Sequence, residues 1–181
     1  MSHMRFGALA LAAFVVSGCS TPFGLSNLGG ETSSLSAADR TFISQAAYGS
    51  LAEVQLGELA QQQASSPQVR EFGRTMVTEH TQMNEDLIKV ASAKGVTPPS
   101  SPDPGRADVA DMLEQLSGQE FDRQYIQQQL IDHQLSETLF ENQAENGQDV
   151  ELRQFARRYE PVIERHVEML RRMSSQRVSS N

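Results

Sequence analysis

The sequence predicts an all-α fold, a four-helix bundle with a short extra helix in one connection. Three observations carry this. Apolar residues recur at spacings of three and four along four long segments. Strand signals are almost absent, because β-branched residues are scattered and no alternation is sustained. Residues that start or stop helices, such as Ser66-Pro67, Gly95, Gly147 and Asp149, punctuate the segments. Helices that each carry one apolar stripe bury it most simply against one another.

The N-terminal residues lie outside that pattern. Arg5 precedes an apolar run from Phe6 to Val16, and small residues precede Cys19, the only cysteine. The run is too short to span a bilayer and suits the apolar region of a secretory signal. Residues 1–18 are therefore expected to be a lipoprotein-type signal peptide, cleaved before Cys19. Acylation of Cys19 rests on resemblance to known bacterial lipoproteins, as does export to the outer membrane from Ser20 in a Gram-negative host. The lipid makes the membrane a partner and sets the domain on the periplasmic side of the cell envelope. Residues 19–36 are rich in Gly, Ser and Thr and read as a flexible tether.

The first helix is expected over 37–64, with Phe42, Ala46, Gly49, Glu53, Leu56 and Ala60 facing inward. Small residues at 46, 49 and 60 would admit a close neighbour. Ser66 caps the second helix and Pro67 takes its first position, where the missing N–H costs nothing. Its stripe is Val69, Phe72, Met76, His80, Met83, Leu87 and Ala91, and Gly95 ends it. Residues 96–105 contain four prolines and are expected to be extended. A short amphipathic helix over 106–116 presents Val109, Met112, Leu113 and Leu116.

Ser117 and Glu120 have the spacing of a capping box. The helix they open runs to about residue 146 with Phe121, Tyr125, Leu130, His133, Phe140 and Ala144, and Gly147 stops it. Asp149 caps the last helix, which carries Leu152, Phe155, Ala156, Tyr159, Val162, Ile163, His166, Leu170 and Met173. Pro161 bends that helix rather than ending it, since the apolar period resumes beyond it. The domain is expected over 37–174 and a disordered tail over 175–181. The proline-rich connection leaves the helix order open. If it returns the chain to the starting end, the order is ferritin-like; if it loops locally, the short helix is a lid.

Composition removes several function classes. A net charge of −8, with no basic cluster beyond Arg171-Arg172, argues against nucleic acid as partner. One cysteine permits no disulfide within the chain, so stability rests on packing. There is no G-x-S-x-G and no glycine-rich phosphate loop. Met76, Met83, Met169 and Met173 fit core packing better than a metal box.

One constellation stands out. His80, His133 and His166 fall one each on the last three long helices, and Glu53 lies on the stripe of the first. At about 1.5 Å of rise per residue, all four lie near helix midpoints whichever way each helix runs. Three imidazoles and a carboxylate can hold one Zn or Fe ion, with Asp132, Tyr125 and Tyr159 as supporting groups. They can equally satisfy one another as a buried hydrogen-bond network. A carboxylate-bridged di-iron site needs Glu-x-x-His on two helices. Here the residues three before each histidine are Val77, Leu130 and Ile163, which argues against it. Glu79 and Glu164 adjoin histidines but point off the stripes.

Several marks occur in order: the run from Phe42 to Gly57, Met76-x₃-His80-x₃-Asn84, and Phe121-Asp122-x₂-Tyr125 with His133. Asp149-x-Glu151-Leu152-Arg153-x-Phe155-Ala156 and Pro161-x₄-His166 complete them. Over 37–173 this pattern resembles the DUF4142 family of outer membrane proteins. The resemblance implies a secreted or lipid-anchored helical bundle of ferritin-like topology and supplies no catalytic residues. The expected role is non-catalytic, structural or interactive at the cell envelope, with an envelope protein as partner. The alternative is a mononuclear metal-binding bundle for metal handling or stress protection.

Overall fold

The structure, a computed structural model, describes Met1 and residues 35–178. The expected signal peptide, Cys19 and most of the expected tether lie outside the described residues. The chain forms α1 (Ala37–Gln63), α2 (Pro67–Ala93), α3 (Pro104–Glu114), α4 (Gly118–Asn146) and α5 (Val150–Val178). Among the described residues there is no strand, only an isolated bridge between Ala64 and Gly118.

Local chemistry sets most of the helix ends. Ser36 accepts the N–H of Asp39 at 3.0 Å, Ser66 that of Val69 at 3.4 Å, and Asp149 that of Leu152 at 3.0 Å. Gly95, at φ +70°, turns the chain out of α2. Its N–H reaches Ser92 O, and the N–H of Val96 reaches Ala91 O.

Three expectations need correction. The short helix begins at Pro104 rather than 106, because Asp103 caps the N–H groups of Gly105 and Arg106 and proline is at ease in a first turn. Ser117 makes no side-chain cap: Gly118 sits at φ +64°, and Glu120 pairs with Arg123 instead. α5 runs on to Val178, past the boundary expected at 174, so the tail expected over 175–181 is helical through 178. Pro161 lies inside α5 as expected.

The connection after α2 carries the chain back to the end where α1 closes. Ala64 bridges Gly118 there, and Asp122 of α4 accepts the backbone N–H groups of Ser65 and Ser66 at 3.1 and 3.0 Å. At the opposite end Asp39 of α1 accepts the N–H groups of Gln148 and Asp149, each at 3.2 Å. α1 pairs along its length with α2, and α4 with α5. The two hairpins meet along α1 and α4 and more thinly along α2 and α5, while α3 crosses over α1.

These contacts expose an internal repeat. Asp39-Arg40-x-Phe42-Ile43 matches Asp122-Arg123-x-Tyr125-Ile126, and Val69-Arg70-x-Phe72-Gly73 matches Leu152-Arg153-x-Phe155-Ala156. Position 39 pairs with 122 and 70 with 153, the same separation of 83 residues. The roles repeat too. Arg70 donates to the carbonyls of Ala64 and Ser65, as Arg153 does to those of Gly147 and Gln148. The aspartate of each hairpin clamps the turn of the other.

The repeat is broken where α1 meets α2. A Cβ on Gly57 would stand 2.6 Å from Gly73 O, and one on Gly73 2.7 Å from Gly57 O. These glycines bring the two backbones together, whereas Gly49 has open space where its side chain would be. Their counterparts in the second hairpin are Phe140 and Ala156.

The interior has three layers. One apolar cluster gathers Phe42, Leu87, Phe140, Phe155 and Ile163, and another Leu56, Phe72, Phe121, Tyr125 and Leu170. Between them lie buried polar side chains: Glu53, His80, Gln129, His133 and His166. On α3 Leu113 is buried, while Met112, expected on the apolar side, is exposed.

Candidate metal centre

Each histidine reaches the interior because its helix stripe continues through it. His80 lies between Met76 and Met83 on α2, and both of these are buried. His133 sits one turn beyond Gln129 on α4, and His166 one turn beyond Ile163 on α5. The ring centroids are 5.6 Å apart for His80 and His133, 5.5 Å for His80 and His166, and 5.2 Å for His133 and His166. One nitrogen from each ring can be chosen so that all lie within 4.8 Å of one another. Phe72 closes one side, edge-on to His133 and His166 at 6.1 and 6.0 Å.

The hydrogen bonds fix which nitrogens are free. His133 Nδ1 lies 2.9 Å from Gln129 O. A carbonyl only accepts, so Nδ1 carries the proton and Nε2 bears the lone pair. His166 Nε2 lies 2.7 Å from Glu79 Oε2, so Nε2 carries the proton there and Nδ1 is free. His133 Nε2, His166 Nδ1 and both nitrogens of His80 are buried without a hydrogen-bond partner. No histidine bonds to another among the described residues.

Burial keeps the rings neutral. It pushes His80 well below the ordinary imidazole range, with the proximity of His133 adding to the effect. Burial brings His133 down to about 4, against a smaller upward pull from its bond to Gln129. Burial brings His166 to about 2, helped by His80, His133 and Arg165. Three neutral imidazoles clustered in one layer, each with an unpartnered nitrogen, form a set of nitrogen donors for a transition ion.

Glu53 is in the same layer but not in the same cluster. It accepts a hydrogen bond from Gln129 Nε2, and its Oε1 is 3.8 Å from His133 Nδ1. It thus faces the nitrogen already committed to Gln129 O, not the free one. Burial, with the nearby Asp132 adding to it, raises its carboxyl to about 8 against the smaller downward pulls of Gln129 and Arg106. Asp132 itself bonds to Gln128, and the hydroxyl of Tyr159 donates to Asp86 at 2.7 Å. Neither makes a hydrogen bond to the histidines. The hydroxyl of Tyr125 is buried without a partner.

The sequence reading sets Glu79 aside as pointing off its stripe. It does so, but toward α5, where it meets His166 and Arg165. Asn84 goes unremarked as a polar group, yet its Oδ1 is buried and unpartnered one turn beyond His80. The signal for Glu79 is subtle: an acidic residue beside an apolar stripe, facing a helix whose stripe carries a histidine.

A family model described as a domain of unknown function, DUF4142, matches residues 27–173. The chain belongs to the DUF4142 family. The matched span of this DUF4142 chain holds all three histidines, Glu53 and Glu79. Two solved structures share its fold. A DUF305 fragment from Deinococcus radiodurans is 11% identical, with a TM-score of 0.69 over 78% of this chain and 98% of its own. A DUF305 protein from Streptomyces coelicolor is 14% identical, with a TM-score of 0.66 over 77% of this chain and 93% of its own. At such identities the likeness shows the fold alone. No curated protein matches the chain.

Proposed function

We propose that this DUF4142 domain binds a single transition-metal ion, zinc or ferrous iron in class, through His80, His133 and His166. The observation that carries the reading is the clustering of three imidazoles in a buried layer, each with an unpartnered nitrogen. A purely structural polar core would pair these groups with one another, since each buried polar atom left unpaired costs about 1–3 kcal/mol. Instead the two rings that make hydrogen bonds make them through one nitrogen, to a carbonyl and a carboxylate, and leave the other unpartnered. Such contacts orient a ligating histidine and raise its basicity. Three nitrogen donors leave a fourth position open in a tetrahedral ion. A spread of 4.8 Å between donor atoms exceeds the roughly 3.4 Å edge set by bonds of about 2.1 Å, so small ring rotations close the site. Glu53 serves as a neighbouring acid rather than a ligand.

We read the helix order, with its long return connection, as ferritin-like. The domain acts as a carrier or store for the ion at the cell envelope, held to the membrane through Cys19. This favours metal handling over the purely structural role ranked first on sequence alone. Elemental analysis of purified protein, before and after mild chelation, tests it. About one ion per chain is expected, lost in a His80→Ala/His166→Ala variant and able to rebind to wild type. Protein that stays metal-free when supplied with zinc, iron, manganese or copper at low micromolar levels would return the histidines to a structural role.

A further inference from the structure

We propose, building on the metal-binding reading above, that the ion reaches the histidines through the seam between α2 and α5, and that Glu79 is the residue that admits it. Glu79 touches both the site and water. Its Oε2 accepts from His166 Nε2 and from Arg165 Nη2, each at 2.7 Å. The His166 side chain is fully buried, while that of Glu79 is 33% exposed. Glu53, the other carboxylate beside the histidines, is sealed inside.

The other neighbouring pairs of long helices pack more extensively, above all α1 with α2 and α4 with α5. The Gly57–Gly73 contact joins α1 and α2 backbone to backbone, and α3 lies over α1. Apolar clusters fill the interior above and below, with Phe72 against two of the rings. The α2–α5 seam is thinner.

The seam also carries a second rung of the same design. Asp86, seven residues after Glu79, accepts from the Tyr159 hydroxyl at 2.7 Å and faces Arg158 at 3.4 Å. Tyr159 and Arg158 stand seven residues before His166 and Arg165, the register of two antiparallel helices. Beyond Asp86 the seam opens into a groove of about 520 Å³ with Lys89, Val90 and Phe155 in its walls.

A hydrated cation entering an apolar interior loses its hydration and needs protein polar groups in its place. Glu79 offers a carboxylate oxygen there: its bonds to His166 and Arg165 both fall on Oε2, and an exposed ion pair of this kind holds weakly. Arg165, a positive charge at the mouth, opposes the approach. Glu79 is thus both the positioning residue for His166 and the first oxygen the ion meets.

Stopped-flow binding of zinc and of cobalt to the metal-free full chain separates these roles. Glu79→Gln keeps an acceptor for His166 but loses the charge; its association rate should fall by about tenfold or more at low salt, and the deficit should shrink as salt is raised. Arg165→Gln should raise the association rate severalfold. If all the loss in Glu79→Gln lies in the dissociation rate, with association unchanged, Glu79 only orients His166 and the proposed route is wrong. Wild-type association rates in both variants would overturn the route and leave the metal site standing. If wild type binds neither ion saturably, the metal reading fails and this proposal falls with it. Thermal unfolding of each variant confirms that these partly exposed positions leave the fold intact.

Discussion

His133 and His166 are each held by the nitrogen they do not offer, and the neighbouring groups titrate in opposite senses. In the metal-free fold the histidines stay neutral, whereas the unfolded chain protonates them below about 6.5. Their contribution to stability is therefore present above that pH and lost as pH falls toward the depressed folded values. Glu53 runs the other way. Its folded carboxyl keeps a proton up to about 8, while the unfolded one ionises from 4.5. Its contribution is full below 4.5 and lost as pH rises to about 8. Urea unfolding of the metal-free protein from about pH 5 to about pH 9 should show a steep rise on the acid side and a gentler decline on the alkaline side. Glu53→Gln should abolish the decline and keep the rise; a decline unchanged in that variant would contradict the assignment to Glu53. The candidate residues were legible from stripe position, because a histidine in an apolar period points inward whatever its neighbours do. The separation of Glu53 from the cluster was not legible. Helix midpoints give height, but not which ring nitrogen faces which helix.

At the scale of elements, close approach and turn clamping govern. Gly57 and Gly73 face each other with no room for a methyl group. Gly57→Ala or Gly73→Ala should cost about 1–3 kcal/mol by forcing α1 and α2 apart. The denaturant midpoint should drop with an unchanged slope. A midpoint equal to wild type would show that the crossing relaxes freely. Asp122 accepts from two backbone N–H groups and from the Ser65 hydroxyl. Asp122→Ala should cost about 3 kcal/mol, because it strands the turn donors between α1 and α2. Asp39 has the mirrored task. Burial pushes its carboxyl up, but hydrogen bonds from Gln143, Ser36, Asp149 and Gln148 outweigh this and hold it below its ordinary value. Helix spans followed from caps and prolines, since those signals are local. The reciprocal clamps did not, since Asp39 and Asp122 read as ordinary first-turn acids until two hairpins are laid side by side. The repeat was present in the letters, yet its identities are few and spread over two helices.

Across the whole molecule the repeat accounts for a single site. The positions equivalent to His80, His133 and His166 in the other half are Ile163, Ser50 and Met83. Only one set offers three nitrogens. Because the donors come from α2, α4 and α5, an ion ties both hairpins together, and binding should stabilise the entire domain. At a free ion concentration of about 100 times Kd the gain is about 2.7 kcal/mol, read as a rise in Tm. The rise should vanish in the His80→Ala/His166→Ala variant; an equal rise there would place the ion elsewhere. The most direct test of the account is nitrogen-detected NMR of the histidine rings in metal-free protein, followed by addition of one equivalent of zinc. The account predicts neutral rings at neutral pH, with the proton on Nδ1 of His133 and Nε2 of His166. Zinc should then shift His133 Nε2, His166 Nδ1 and one nitrogen of His80 together. Resonances that stay in place, or protons found on the nitrogens assigned here to the ion, would contradict it.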